Sequence, residues 1–183
     1  MRDNAIALLA VQESHLTDEL ATQFEDLFGN SFKLIHSPDP RTRNARGVAI
    51  VFNRRIIDTR NSSTATIIPG RALSISIPWF DNQNINILSM YAPNPPRENR
   101  DFWTKISSII SLYDITPPDI LLGDFNLVED ALDRLPSSQD DTNATKTLRD
   151  FRMKHSLIDG WRQANPESKG YTWSRESDGT HQE

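Results

Sequence analysis

Residues 120–126 read Ile120-Leu-Leu-Gly-Asp-Phe-Asn126, an apolar run that ends in glycine and is followed at once by polar side chains. Such a run predicts a buried β-strand, and Gly123 permits a tight turn at its end. Because residues two apart in an extended segment point to the same side, we expect Asp124 and Asn126 to face the same space. The sequence leaves one alternative open, an Asx turn capped by these two side chains.

Two other predicted strands also end in polar side chains. The first apolar run of the chain is followed by Glu13, and a later strand ends at Tyr91 and continues into Ala-Pro-Asn94 and then Arg97. A carboxylate at a strand end suits a hard cation, because Mg²⁺ binds few carboxylates and keeps several waters. Tyr91 and Asn94 offer hydrogen-bond donors, and Arg97 offers a guanidinium that matches phosphate. Taken singly, Glu13 is more readily interpreted as an ordinary surface acid, and the second segment as a proline-rich turn with a core tyrosine.

The remaining sequence predicts short strands with a few helices between them. Thr17 is a predicted N-cap, Gly29 a predicted C-terminal stop, and further helices are predicted at 102–113 and 143–155. This order predicts a mixed α/β (α+β) fold with mostly antiparallel sheets. The length of 183 residues suits a single domain. The predicted strands are Ala5–Gln12, Phe32–His36, Gly47–Asn53, Ala65–Ile68, Ala72–Ile77, Ile85–Tyr91, Asp119–Gly123 and Tyr171–Trp173.

The composition excludes several kinds of site. The chain has no cysteine, so it can form no disulfide with itself or a partner, and any metal must use oxygen or imidazole ligands. Its longest early apolar run, Ala5–Val11, is far shorter than the ~20 residues that span a bilayer and lacks a signal-peptide cleavage site. We therefore expect no membrane partner and an intracellular protein, either nuclear or cytoplasmic.

The net charge of −5 hides an uneven distribution of charge. An arginine-rich segment at 41–60 precedes an acidic segment at 124–141, which is the combination that a nuclease needs to hold phosphates and a cation. From charge alone, two solvated loops of opposite sign are the simpler interpretation. The arginines are Arg41, Arg43, Arg46, Arg54, Arg55 and Arg60, and the acids are Asp124, Glu129, Asp130, Asp133, Asp140 and Asp141.

Together, the strand-end segments resemble the successive motifs of the endonuclease/exonuclease/phosphatase superfamily. In chain order they are Gln12-Glu13, Tyr91-Ala-Pro-Asn94 and Gly123-Asp-Phe-Asn126. Gly47-Val-Ala-Ile50 resembles the family strand between the first two motifs, and 157–162 with 171–173 resembles the segment after the third. The resemblance covers essentially the whole chain. In the residues of its motifs, the chain is most similar to the endonuclease domain of non-LTR (LINE-like) retrotransposons. In that domain, Gln-Glu-Ser/Thr-His-Leu, Tyr-Ala-Pro-Asn, Gly-Asp-Phe-Asn and Asp-x-Trp-Arg occur together.

The resemblance implies a fold, an activity and a set of roles. The fold is a four-layer αββα sandwich of two mostly antiparallel sheets, and the activity is metal-dependent hydrolysis of a phosphodiester in DNA, with Mg²⁺ or Mn²⁺ as cofactor. Glu13 would bind the metal, Asp124 would orient or activate water, and Asn126 would bind the scissile phosphate. Tyr91, Asn94 and, more loosely, Arg97 would support the phosphate. Asp159 and Arg162 would form a structural ion pair under the site.

Two elements of the family pattern are missing from this sequence. One is the first strand, which ends in an Asn, and the other is the final strands, which carry an Asp and a Ser-Asp-His tripeptide. Ser177-Asp-Gly179 and His181 resemble that ending only superficially, and we expect them to form an exposed tail. We therefore expect residues 1–183 to be a single domain that is incomplete at both ends, with unpaired sheet edges and impaired activity.

Two other functions remain as alternatives. One is a phosphatase of the same superfamily that acts on small phosphate esters such as inositol phosphates, against which the retrotransposon-like motifs argue. The other is a non-catalytic remnant that binds nucleic acid or has no function. Incubating the protein with plasmid DNA and with inositol phosphates, in the presence of Mg²⁺, would distinguish these alternatives from an endonuclease.

Overall fold

The computed structural model describes residue 1, residues 5–42 and residues 46–171. The predicted run at Thr172–Trp173, the tail residues at 177–181 and Arg43 lie outside these described residues. Seven strands and four helices are present in this part of the chain. In chain order they are β1 (Leu8–Gln12), α1 (Asp18–Phe28), β2 (Phe32–Ser37), β3 (Val48–Asn53), β4 (Ser63–Ile68), β5 (Ala72–Pro78), β6 (Asn84–Tyr91), α2 (Pro96–Leu112), β7 (Ile120–Asp124), α3 (Thr142–Lys154) and α4 (Gly160–Ala164).

The strands form two sheets. The first has the order β1-β3-β2, and both of its strand pairs are antiparallel. The second has the order β4-β5-β6-β7 and is antiparallel except for its last pair, β6 and β7. That pair is parallel because α2 crosses over between the two strands, as a parallel connection requires. Among the described strands, β1 and β7 each pair on one side only.

The two sheets pack face to face over an apolar core. Alternate residues of β3 and β5 point into this layer, as the two-residue period of a strand dictates. They include Phe52, which is fully buried, and Ile75, which is 1% exposed. This central layer is completed by residues of β6, so both sheets contribute to one core.

Helices cover the outer faces of the sandwich. On the second sheet, α2 and α3 pack through Trp103, Ile106 and Phe151 against Leu88 and Met90 of β6. On the first sheet, α1 packs beside β2, and the Glu25 carboxylate accepts a hydrogen bond from the Leu34 amide. The αββα arrangement of two mostly antiparallel sheets between helices is therefore confirmed.

Several boundaries differ from those predicted. Thr17 and Gly29 cap the two ends of α1 as predicted, and Gly29 does so with φ −56°, without the left-handed conformation. The helix α2 begins at Pro96, well before Phe102, because a proline fits the first turn, where no backbone donor is required. The strand predicted from Ala5 begins at Leu8, and Ala5 itself has φ 50°. Within the described ranges, no helix has the length and apolar character needed to cross a membrane.

Candidate active site

Three strand ends bring the predicted site residues together. Tyr91 and Asp124 are partners in the parallel register of β6 and β7. Glu13 directly follows β1 in the other sheet, and its Oε1 accepts a hydrogen bond from the Tyr91 hydroxyl. The carboxylates of Glu13 and Asp124 both act electrostatically on Tyr91. These three side chains therefore meet where the two sheets end side by side.

Tyr91 is a hydrogen-bond donor within this group. Its side chain belongs to the core between the sheets, and the residue is only 7% exposed. Burial raises the pKa of Tyr91, and the hydrogen bond to Glu13 and the charges of Glu13 and Asp124 raise it further, against an opposing effect of Arg71. The phenol thus stays protonated at neutral pH and holds one oxygen of the Glu13 carboxylate.

Asp124 and Asn126 occupy a tight turn at the end of β7. The Asp124 Oδ1 accepts a hydrogen bond from the Asn126 amide at 3.0 Å, which is the Asx turn that the sequence left as an alternative. The Asn126 Nδ2 donates to the Ala92 carbonyl at 2.9 Å, and the Ala92 amide donates to the Asp124 carbonyl at 2.8 Å. The turn therefore fastens Asp124 and Asn126 to the segment that follows Tyr91. One Nδ2 hydrogen of Asn126 is left for another acceptor.

Gly123 allows β7 to approach β6 closely enough for this turn. Its φ is 140°, and a Cβ at this position would lie 1.9 Å from the Met90 carbonyl oxygen. Real non-bonded atoms do not approach to that distance, so no other residue fits without separating the strands. Gly123 was predicted to permit a tight turn, and the structure places it within β7, where it permits the close approach to Met90.

Two of the site residues have left-handed backbone conformations. Glu13 and Asn126 both have φ 48°. Asn tolerates this region, whereas Glu adopts it rarely and at a cost. The conformation of Glu13 is held by its neighbours, because the Ser14 amide donates to the Gly47 carbonyl at 3.1 Å and the His15 amide to the Arg46 carbonyl at 3.0 Å. Such strained residues cluster at functional sites.

Asn94 and Arg97 lie at the entrance to α2. Both are exposed, with Pro95 at the N-cap between them and Arg97 in the first turn. Within the described chain, no hydrogen bond or ion pair joins either side chain to Glu13, Tyr91 or Asp124. They are placed to meet a ligand from outside, and their predicted contact with phosphate stays a prediction.

Arg71 is a site residue that the sequence analysis did not identify. Its guanidinium carbon lies 4.6 Å from the centre of the Tyr91 ring, and its Nη1 donates to the Tyr91 carbonyl at 3.1 Å. Burial lowers the pKa of Arg71, and Arg46 lowers it further, whereas Tyr91, Asp39 and Glu98 favour its charged form. The sequence signal that could have identified Arg71 is the Pro69-Gly70 turn. Arg71 follows this turn immediately before β5, whose first residues pair with the part of β6 that ends at Tyr91.

The arginine-rich segment is divided between two ends of the sandwich. Arg46 lies beside the site and pairs with Asp39 at 3.0 Å, while Arg41 is exposed in the same loop. Arg54 and Arg55 follow the opposite end of β3, about 17 Å away for a strand of this length. Because β3 runs between its two halves, the arginines that the structure describes do not form one continuous basic surface.

The acidic segment is mostly neutralised by arginines. Glu129 pairs with Arg149 and Arg152, and Asp140 accepts two hydrogen bonds from Arg134. The Glu129 pairs hold the loop onto α3, whereas the pair of Arg134 with Asp140 joins two parts of the loop itself. The interpretation of the whole segment as a cation-holding pocket is therefore wrong, and of these acids Asp124 is the one at the site.

The predicted ion pair between Asp159 and Arg162 is also wrong. The Asp159 carboxylate caps α4 by accepting a hydrogen bond from the backbone amide of Arg162 at 2.9 Å. The Arg162 guanidinium pairs with Asp133 instead, and its Nε lies 4.0 Å from Asp130. Capping takes the nearby carboxylate, so the guanidinium reaches acids that are distant in sequence.

The side chains at the site suit Mg²⁺ or Mn²⁺, which need few protein ligands, better than a metal ion that protein ligands enclose completely. Glu13 and Asp124 are both exposed, and one oxygen of Glu13 is not used by Tyr91. In the part of the chain that the structure describes, no group of three or more His, Cys, Asp or Glu side chains could hold a metal ion. A magnesium ion commonly takes one or two carboxylates and completes its shell with waters and phosphate oxygens. The residues present therefore fit such an ion, with Glu13 as the predicted ligand.

The chain has relatives in sequence and in structure. No family model matches the chain. The chain is 29% identical over 180 residues to the transposon TX1 uncharacterized 149 kDa protein of Xenopus laevis, an alignment that covers 98% of this chain and 13% of that protein. It thus spans about an eighth of the length of this relative.

Two solved structures have the same fold. The AP endonuclease LMAP from Leishmania major superposes with a TM-score of 0.72 at 15% identity, over 91% of this chain and 62% of that one. The APE2 catalytic domain of Xenopus laevis superposes with a TM-score of 0.64 at 14% identity, over 92% of this chain and 67% of that one. The chain therefore has the fold of these two AP endonuclease structures, and in sequence it is similar to a transposon protein.

Proposed function

We propose that this chain is a metal-dependent phosphodiesterase that hydrolyses DNA as an endonuclease. One observation carries the proposal: Glu13, Tyr91, Asp124 and Asn126 converge from three strand ends at one edge of the sandwich. Two carboxylates, a protonated phenol and a carboxamide in one place provide acceptors for a cation and a water, and donors for a phosphate.

Each residue has a role that its contacts support. Glu13 would hold the cation, and a bound divalent cation would supply charge that offsets the negative charge developing on the phosphate. Asp124 orients the attacking water, because its carboxylate is exposed and fixed by the Asn126 amide. Asn126 donates its second Nδ2 hydrogen to a phosphate oxygen. Tyr91 stays protonated and keeps Glu13 in place.

The proposal of DNA as substrate rests on the surroundings of the site and on the relatives. Arg71 is held beside Tyr91, so a positive charge lies close to the residue that contacts Glu13, and Arg41 is exposed in the loop before β3. The motifs and the transposon relative favour the retrotransposon type of endonuclease. Asn94 and Arg97 contact the flanking phosphates in this proposal. DNA as substrate also agrees with the proposed intracellular, nuclear or cytoplasmic, location.

Nicking of supercoiled plasmid DNA tests the proposal. The wild-type chain is compared, in Mg²⁺ and in EDTA, with Glu13→Gln and Asp124→Asn, and Asp150→Asn serves as the matched control because Asp150 is an exposed acid on α3. We expect nicking that requires the cation, survives in the control and falls on the order of 10²-fold or more in both site variants.

The same assay separates the alternative functions. Release of phosphate from inositol phosphates without nicking would assign the site to a phosphatase. Metal binding that Glu13→Gln abolishes, with no turnover of either substrate, would assign the chain to a non-catalytic remnant. Nicking that Glu13→Gln and Asp124→Asn leave unchanged would refute the proposed site.

A further inference from the structure

A buried asparagine on α2 joins the two loops that carry the site. Asn99 is fully buried, and its Nδ2 donates two hydrogen bonds, to the Pro93 carbonyl and to the Phe125 carbonyl, both at 2.9 Å. Its Oδ1 accepts a hydrogen bond from the Trp103 indole at 2.8 Å. Both donors of the carboxamide are thus used, and because they face two carbonyl oxygens, these two contacts fix which way the carboxamide faces.

The two carbonyls lie within the site loops themselves. Pro93 stands between Tyr91 and Asn94, and Phe125 stands between Asp124 and Asn126. The Asn99 side chain on α2 donates to both carbonyls, so no backbone amide has to turn inward to do so. Asn99 therefore fixes the spacing between the loop that follows β6 and the loop that follows β7.

The contacts around Asn99 make it more than an ordinary buried polar group. Phe125 also stacks on Trp103, with ring centres 5.7 Å apart and an interplanar angle of 26°. Without Asn99, two carbonyls would be buried with no donor, and the loops would have to move to find water. Any such movement displaces Asp124 and Asn126 relative to Tyr91.

We infer that Asn99 is a positioning residue for the proposed hydrolysis, setting the distance between the Tyr91 and Asp124 loops without touching the substrate. The inference rests on the proposed function for its effect on rate. Misplacement of reacting groups by about 1 Å can cost on the order of 100-fold. Loss of the two Nδ2 hydrogen bonds should therefore lower kcat by about 10- to 100-fold and change KM little, because Asn99 is too deep to contact DNA.

The experiment compares variants that break different contacts of the same side chain. Asn99→Asp keeps the size and the acceptor for Trp103 but cannot donate to both carbonyls, and Asn99→Ala removes all three contacts without adding charge. Trp103→Phe is the control, because it disturbs the same helix and core but leaves both donations to the loops in place. Each variant is measured for plasmid nicking (kcat and KM), for unfolding in urea and for amide hydrogen exchange by NMR.

We expect kcat to fall about 10- to 100-fold in Asn99→Asp and Asn99→Ala, and less than threefold in Trp103→Phe. The Ala92 amide, which donates from one loop to Asp124 in the other, and the Asn126 amide, which donates to the Asp124 side chain within its own loop, should exchange faster in the Asn99 variants alone. A kcat within threefold of wild type in folded Asn99 variants would overturn the inference, and so would an equal loss in Trp103→Phe at equal stability.

If the wild-type chain does not nick DNA, the proposed function fails, and amide exchange then decides the structural part of the inference. Faster exchange of Ala92 and Asn126 in Asn99→Asp or Asn99→Ala than in Trp103→Phe would support it. Equal exchange in all three variants would refute it. If Asn99→Asp does not fold, Asn99→Ala gives the same comparison.

Discussion

Replacing Tyr91 with Phe removes one hydroxyl from the site and keeps the buried ring. The hydroxyl donates to Glu13, and a hydrogen bond to a charged group contributes roughly 1.5–3 kcal/mol. Because Glu13 is exposed, water can partly replace the phenol, so the lower end of that range applies. A loss of about 1.4 kcal/mol corresponds to a tenfold change in an equilibrium constant. Because this hydrogen bond is present with and without the cation, it favours binding only by holding Glu13 in place beforehand, and we expect Tyr91→Phe to bind Mg²⁺ more weakly than wild type by no more than about tenfold.

Isothermal titration calorimetry with Mg²⁺ and with Mn²⁺ measures this difference. Glu13→Gln defines the loss when the proposed ligand itself is removed, and Tyr113→Phe is the control because Tyr113 is 70% exposed and lies at the end of α2. The order of affinity should be wild type equal to Tyr113→Phe, then Tyr91→Phe, then Glu13→Gln. The reasoning is refuted if Tyr91→Phe binds as tightly as wild type while Glu13→Gln does not.

Three further predictions concern the fold, the pH response and DNA. Gly123→Ala should lower the free energy of unfolding in urea by about 3 kcal/mol, since its Cβ would meet the backbone of β6 and its φ of 140° is unfavourable for alanine. An unchanged urea midpoint would show that the strands can separate freely. Because the pKa of Tyr91 is raised in the folded state, the contribution of this group is fully present below the unfolded pKa of about 10 and is lost as pH rises through the folded value. Wild type should thus lose stability relative to Tyr91→Phe above pH 10, and parallel pH curves would contradict this. Arg41→Ala should reduce the salt dependence of DNA binding by a slope of about 0.9 if Arg41 contacts one phosphate. Arg54→Ala, at the far end of β3, should leave that slope unchanged, and equal slopes for both variants would contradict the placement.

The parts of the site that could be predicted from sequence are those that a short segment specifies. Gly123-Asp-Phe-Asn126 encodes both its strand end and its turn, and the turn that forms is the Asx turn that the sequence left open as an alternative. The same holds for Tyr91, which ends β6. Glu13 meets these residues because of the way the strands pair into sheets. Local periodicity alone does not specify that pairing. The order of the motifs predicted it, through the family resemblance.

The residues that were missed or misplaced depend on contacts between distant segments. Arg71 reaches Tyr91 through the pairing of β5 with β6, and Asn99 reaches Phe125 across 26 residues. The pairing of Asp159 with Arg162 was expected because they are close in sequence, but α4 uses that carboxylate as a cap and Asp133, 29 residues away, takes the guanidinium. A charge pattern shows which residues can pair, and the fold decides which of them do.

The geometry of the site is set by the backbone before any ligand arrives. Glu13 and Asn126 each occupy a left-handed conformation that costs on the order of 1–3 kcal/mol when it is not intrinsically favoured, and the larger part falls on Glu13. Such conformations persist only when the surroundings determine them, and here the loop containing Gly47 holds the segment after Glu13 while Ala92 holds Asn126. The hydrogen bonds that maintain this strain run between strand ends and do not involve the exposed oxygen of Glu13 or the second Nδ2 hydrogen of Asn126. Those groups are therefore held in one orientation and have no partner in these hydrogen bonds. A site of this kind can stabilise developing charge without reorganising during the reaction.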